Sequence, residues 1–263
     1  MRDRVIRGIN GFDAHMHLND AAFADGLGGR LERLAEAGYE GAVSGWDIPS
    51  SRAAMEIARK QPFLCATAGI HPCYIPEDLN EALSVLTNLA GSGAAAIGEC
   101  GFDEKAAASL HRQREVFEAQ LDLAVSLSLP VVLHVRGRHG ALLEVLRSWR
   151  GCVPMLLHGA SLSKELLKAY LDLGCMISIG ALAVRENAIR TRETAKWVPS
   201  DCLLIETDCP FQPPALGIRN EPEFLSAVAS AVSECRGSDV DNVLMITREN
   251  ARRFYGKPAE ERK

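Results

Sequence analysis

The chain is 263 residues long, enough for one α/β barrel or at most two ordinary domains, and too long to need disulfides or a metal merely to fold. Its 47% hydrophobic and 24% charged residues exclude a largely disordered chain. A formal net charge of −5 leaves no broad basic surface for coating duplex DNA, so any nucleic-acid contact must be local.

The opening segment, Met1 to Arg7, carries charge with no apolar stretch behind it and does not read as a secretory signal. Strand-like apolar runs then follow at 9–14, 41–46, 64–69, 95–99, 130–135, 153–158, 174–179 and 202–207. Between and after them lie helical stretches near 20–37, 50–60, 77–90, 109–128, 138–149, 161–172, 183–197 and 222–235. The clearest is 112–128, where Val116, Leu121, Leu123, Ala124 and Leu127 recur near helical spacing before Pro130 stops the helix. Alternation of this kind without hairpin signals predicts a parallel sheet, and eight units predict closure into a single (β/α)8 TIM barrel spanning 1–263. A doubly wound open sheet is the structural alternative. The eight cysteines form no C-x-x-C pair, and no apolar run reaches the ~18 residues of a membrane span. The expectation is a cytoplasmic protein with no membrane association and no evident obligate protein partner.

Metal-capable residues recur at the predicted strand ends: His15 and His17, Glu99, His134, His158 and Asp208. From His15 to Glu99 is 84 residues, or three units of 28, and from His158 to Asp208 is 50, two units of 25. All six therefore fall on the C-terminal rim, where barrel enzymes build their sites. In His15-Met16-His17 the period-two alternation of an extended segment puts both imidazoles on one side. Four histidines and two carboxylates exceed the demand of one tetrahedral ion, so a two-ion site bridged by Glu99 is the natural count. Imidazole and carboxylate donors suit Zn²⁺, Mn²⁺ or Mg²⁺, and such a pair activates water for hydrolysis.

The segments Asp13-Ala-His-Met-His-Leu18, Gly69-Ile-His-Pro72, Gly98-Glu-Cys-Gly-Phe-Asp103, Gln113 to Gln120 leading into Leu129-Pro-Val-Val-Leu-His134, Glu206-Thr-Asp-Cys-Pro210, Arg219-Asn-Glu-Pro222 and Asn250 to Gly256 together resemble the TatD family of metal-dependent hydrolases, a barrel branch of the amidohydrolase superfamily. The resemblance covers about residues 11–256. It implies a two-metal hydrolase of deoxyribonuclease type that trims 3′ ends with a metal-activated water. The family's metal ligands map onto His15, His17, Glu99, His134, His158 and Asp208, the set already reached from spacing. Two departures bear on the pocket. Leu18-Asn19 precedes Asp20 where the family places an Asp two residues after its H-x-H, and His158-Gly-Ala-Ser161 replaces a Cys or Ser, Phe, Ser, Gly run.

The expected roles are Asp208 as ligand and proton acceptor and Glu99 as the bridge, with His71, Arg219 and Glu206 binding substrate; Glu206 has the alternative of holding a ligand histidine. Trp46 either stacks a base or packs its loop. Cys73, Cys100 and Cys209 read as packing residues, and His111 and His139 as surface residues. The expected partner is single-stranded DNA or a DNA 3′ end held by few contacts. An amidohydrolase or esterase acting on a small C–N or C–O substrate, and a metal-retaining binding protein, are the alternatives.

Overall fold

The computed structural model describes residues 10–256. The opening segment Met1 to Arg7, residue 9 of the first predicted strand and residues 257–263 of the expected domain lie outside them. Eight parallel strands run in sequence order: β1 (Phe12–Met16), β2 (Glu40–Ser44), β3 (Leu64–Ala68), β4 (Ala96–Asp103), β5 (Val131–Arg136), β6 (Met155–Leu157), β7 (Cys175–Ile179) and β8 (Leu203–Ile205). Each is followed by a helix: α1 (Leu27–Glu36), α2 (Ile48–Lys60), α3 (Leu79–Gly91), α4 (Leu110–Leu127), α5 (His139–Ser148), α6 (Lys164–Asp172), α7 (Ile189–Trp197) and α8 (Leu225–Arg236). This is the predicted (β/α)8 barrel. At the β8–β1 seam the Asp208 and His17 amides donate to the carbonyls of His15 and Cys209 at 2.9 and 2.8 Å. The buried Asp13 carboxylate reinforces the seam, accepting from both the hydroxyl and the amide of Thr207 at 2.6 and 2.9 Å.

Half of the eight helix starts are written in the sequence as side-chain caps. Asp47 and Ser50 form a reciprocal capping box on α2, and Asp78, Ser109 and Ser163 cap α3, α4 and α6 by accepting from backbone amides. Two predicted helices begin late: α1 follows a short turn at Ala21–Phe23 with left-handed Gly26 between them, and α7 follows a turn at Ala181–Val184. A ninth helix, α9 (Val240–Tyr255), was not among the predicted elements. Its Tyr255 hydroxyl donates to Ala14 O at 2.7 Å, and its Asn250 amide donates to Leu203 O at 2.8 Å. Contacts with the first residues of strands place α9 across the N-terminal end of the barrel.

The interior is narrow and layered. Phe12, Ala14, Ala42, Ala96, Val132, Leu156 and Leu204 point inward and pack with Ala251, Phe254 and Tyr255 of α9, the Phe12 and Tyr255 rings stacking at 5.7 Å. Two residues further along, the same alternation delivers Ser44, His134, His158, Ser178 and Glu206 to the C-terminal end. β1 and β4 need a phase change to do the same, because His15 and Glu99 stand an odd number of residues beyond Ala14 and Ala96. Both strands carry a register irregularity at that point, between Asp13 and Met16 and between Ile97 and Cys100. These bulges re-aim His15, His17 and Glu99 into the barrel mouth. No described helix is long and apolar enough to cross a membrane.

Candidate metal centre

All six predicted ligands meet at the mouth, and Glu99 divides them. Its Oε2 lies 3.5 Å from His15 Nε2 and 3.9 Å from His17 Nε2. Asp208 Oδ1 closes that group, 3.4 Å from His17 Nε2 and 3.9 Å from His15 Nε2. The other oxygen, Oε1, lies 2.8 Å from His134 Nδ1 and 2.7 Å from His158 Nε2, and those two nitrogens are 3.2 Å apart. Tetrahedral coordination with bonds of ~2.0–2.1 Å gives donor separations of roughly 3.3 Å, and the separations in the two groups, 2.7 to 3.9 Å, bracket that value.

The outer nitrogens decide which tautomers are present. His17 Nδ1–H donates to Ser44 O at 3.0 Å, and His15 Nδ1 pairs with Ser44 Oγ at 3.1 Å. His134 Nε2–H donates to Asp103 Oδ2 at 3.0 Å. His158 Nδ1 faces Glu206 Oε1 at 3.4 Å. His17 and His134 are therefore held from outside by an acceptor, His15 pairs with a hydroxyl, and His158 faces a carboxylate, so all four turn their other nitrogen into the mouth. His15 Nε2 and His17 Nε2 stand 3.2 Å apart, with His17 Nε2 the acceptor because its Nδ1–H donates to Ser44 O, and with His15 Nε2 able to donate to it when the Ser44 hydroxyl donates to His15 Nδ1. Imidazole nitrogens and carboxylate oxygens at these separations form a donor set that a divalent ion fits.

The electrostatics agree. Burial alone raises the Glu99 carboxyl, but His158, His71, His134 and His15 outweigh it and hold the group well below the usual carboxylate range. Asp208 is likewise buried, and His17, His158 and His15 keep it below its ordinary value. His71 behaves differently: burial, aided by His134 and His158, pulls it down to about 4. It is neutral at pH 7. Its Nδ1 accepts from the Cys73 amide at 3.1 Å, so the proton sits on Nε2, 3.8 Å from Glu99 Oε1. His71 is thus a hydrogen-bond donor in a cleft of about 570 Å³ that it shares with Trp46, Asp103, Arg136, Phe211 and Gln212.

Two residues expected to bind substrate are placed elsewhere. Glu206 is fully buried; Oε1 accepts from the Gly159 amide at 2.7 Å and Oε2 from the Ser178 hydroxyl, so the carboxylate holds His158 and its loop. Arg219 donates to Glu221 and, at 2.6 Å, to Ala22 O, and its guanidinium lies over Phe23. It does not line the cleft. The work of the Arg219-Asn-Glu-Pro222 segment falls to Asn220, whose buried amide donates to Thr207 O and Phe211 O at 2.6 Å and ties down the loop after β8. Cys100 and Cys209 are buried packing residues, whereas Cys73 is exposed in the cleft. His139 is half-buried and pairs with the Tyr170 hydroxyl at 2.9 Å.

Sequence reasoning assigned no role to Ser44, Asp103, Gln113 or Gln120. Gln113 accepts from the Asp103 amide at 2.9 Å, and Gln120 accepts from the Ile70 amide at 2.8 Å. The two buried glutamines, seven residues apart on one face of α4, pin the ends of β4 and β3 beside Glu99 and His71. Polar residues on the inward face of an amphipathic helix were the available signal. At Gly98, with φ of 136°, an added Cβ would lie 2.6 Å from Val132 O, so glycine is required just before Glu99. Asp208 itself adopts φ of 57°, a left-handed conformation that Asp and Asn tolerate.

Residues 12–256 match the family described as TatD related DNase. The chain belongs to the TatD family. It is 34% identical over 257 residues, covering 93% of this chain and 99% of the relative, to the 3′-5′ ssDNA/RNA exonuclease TatD of Pantoea ananatis. It is 32% identical, over 93% of this chain and 98% of the relative, to the uncharacterized metal-dependent hydrolase YabD of Bacillus subtilis. The structure of YJJV, a TatD homologue from Escherichia coli K12, superposes with a TM-score of 0.88 at 26% identity, covering 95% of this chain and 99% of that one. The chain is therefore an enzyme of the TatD type of metal-dependent hydrolase.

Proposed function

We propose that this TatD-family enzyme is a phosphodiesterase that trims single-stranded nucleic acid from the 3′ end, with two divalent ions held in one cytoplasmic barrel domain. The observation that carries the reading is the division of Glu99, one oxygen facing His15, His17 and Asp208 and the other facing His134 and His158. The activity named for the Pantoea relative supports the substrate class, and eight cysteines with no C-x-x-C pair support a reducing compartment.

His15, His17 and Asp208 would hold one ion and His134 and His158 the other, with Glu99 shared. When bound, the ions supply charge for the phosphoryl oxygens and acidify a water. Ser44, Asp103 and Glu206 stand behind the four imidazoles and orient their inner nitrogens towards the site, where an ion would displace any proton they carry. Asp208, ionised at neutral pH, accepts the proton of the attacking water, and Gln212 Nε2 orients it by donating to Oδ2 at 2.6 Å. His71 Nε2–H donates to a phosphoryl oxygen or the leaving group. Arg136, which lines the cleft and has no ion-pair partner among the described residues, neutralises a phosphate in the role first expected of Arg219.

The test is metal content after reconstitution with Mg²⁺, Mn²⁺ or Zn²⁺, together with degradation of end-labelled linear and closed circular single strands. Two ions per chain and attack on linear strands alone are expected. Saturation at one ion removes the bridging role of Glu99. Turnover of amides or carboxylic esters without any nucleic-acid cleavage transfers the assignment to the small-substrate amidohydrolase.

A further inference from the structure

Charge and hydrogen bonding account for the floor of the cleft and leave one wall unexplained. Trp46, Tyr74 and Phe211 stand along it, and Tyr74 and Phe211 are 53% and 48% exposed although both are large apolar side chains. Trp46 and Phe211 each lie edge-on to His17, with ring centroids at 5.2 and 5.3 Å, and Tyr74 continues the row 6.4 Å from Trp46. These rings do not sit on loose chain. The carbonyl of Trp46 accepts from the His71 amide at 2.9 Å, and the Tyr74 amide donates to His71 O at 2.9 Å. The Phe211 amide donates to Asp208 O at 2.8 Å while its carbonyl accepts from the buried Asn220. Three aromatic faces are thus positioned by backbone bonds beside the reacting centre, at a cost in exposed apolar surface that packing does not explain.

Arg136 is also part of this cleft and has no ion-pair partner among the described residues, so the cleft combines flat apolar faces with a free cation. A nucleotide has the same two parts. We infer that Trp46, Tyr74 and Phe211 form a stacking wall for the unpaired nucleobase at the end of the strand, which seats the terminal phosphodiester over the Glu99 cluster. The wall selects a strand end whose base is free of a pairing partner, and it is tolerant of base identity because every base offers a π-face. This inference rests on the phosphodiesterase reading and adds to it the residues that recognise the substrate.

The experiment compares kcat/KM for two single-stranded oligonucleotides that differ only in having an intact or an abasic 3′-terminal nucleotide, with wild type, Tyr74→Ala, Phe211→Ala and the conservative Tyr74→Phe and Phe211→Tyr. Wild type should favour the intact end by roughly tenfold, as stacking on aromatic side chains predicts. The alanine variants should bring that ratio towards one, mainly through KM, and the conservative variants should restore it. A purely structural role would slow both substrates alike and leave the ratio unchanged. Equal cleavage of the two ends by wild type overturns the stacking wall and leaves the phosphodiesterase standing; cleavage of neither end with any of the three metals overturns both.

Discussion

The two ends of the barrel show opposite ways of burying charge. At the N-terminal end Glu40, 5% exposed, is met by the guanidinium groups of Arg248 and Arg252, and the Phe12–Tyr255 stack closes the interior beside them. Opposite charges face each other there and the region is complete as it stands. At the C-terminal end two carboxylates and four imidazoles face one another, 2.7 to 3.9 Å apart, and against burial the carboxylates hold His17, His134 and His158 above the ordinary imidazole value. That array is a set of exchangeable pairs in which a cation can take the place of the imidazole protons. The same inward positions of the strands supply both ends, Ala42 and Val132 below, Ser44 and His134 above. The difference lies in the kind of charge each layer holds: fixed guanidinium groups at the base, and at the mouth imidazole protons that a cation can displace.

The sharpest separation of the two ends is Asp208→Asn. Asparagine tolerates the left-handed backbone at this position and nearly matches the volume, so folding should survive while an anionic ligand and proton acceptor is lost. A fall of order 10² or more in kcat is expected from loss of the proton acceptor alone, with thermal unfolding close to wild type. Near-normal turnover with full metal loading would remove Asp208 from the chemistry. The reverse pattern belongs to Glu40→Ala, which leaves two arginines facing each other at the base. Breaking a fully buried pair costs ~3–5 kcal/mol. The Arg248 and Arg252 side chains are 28% and 23% exposed, so solvent screening reduces the expected loss to about 2–3 kcal/mol. Chemical denaturation should report that loss while metal content stays unchanged. A loss of metal without a loss of stability would mean that the two ends are coupled.

The mouth was more legible in the sequence than the base, for a physical reason. Ligand residues at strand ends repeat with the βα unit, so the spacing from His158 to Asp208 carries information across the whole chain. α9 follows α8 with no intervening strand and lies outside that rhythm, so no repeat announced it. Simple alternation also does not explain how His15 and Glu99 turn inward, since the bulges that reverse the phase of β1 and β4 have no signature in residue type alone. The supporting residues were hidden for a different reason. Ser44 and Asp103 are ordinary polar residues until the barrel closes and sets them behind His15, His17 and His134. Glu206 shares the inward face of β8 with Leu204, which is compatible with either binding substrate or bracing His158; its complete burial and its bonds to Gly159 and Ser178 assign it to bracing.

Ser44→Ala probes that hidden support with an intermediate effect. The hydroxyl that pairs with His15 Nδ1 disappears, whereas the Ser44 carbonyl that receives the His17 proton remains. Loss of one outer partner of a ligating histidine typically weakens metal binding 10–100-fold. Competition with a chelator of known affinity should place the variant in that range with little change in folding stability. Unaltered affinity would show that backbone geometry alone orients His15.

The smallest effect distinguishes the two arginines that the sequence and the structure nominate for phosphate binding. Arg136 lines the cleft with no ion-pair partner among the described residues, whereas Arg219 is 45% exposed, bonded to Glu221 and Ala22 O, and outside the cleft. Each phosphate neutralised on a single strand adds about 0.7 to the slope of log K against log salt. Arg136→Ala should therefore raise KM for single-stranded DNA several-fold and flatten the salt dependence by one contact, with kcat less affected. Arg219→Ala should leave the slope unchanged and cost at most about 1 kcal/mol of stability, since an exposed ion pair contributes little. Exonuclease kinetics at several salt concentrations separate the two. If Arg219→Ala flattens the slope and Arg136→Ala does not, the strand runs across the loop after β8, and Arg136 has no phosphate role.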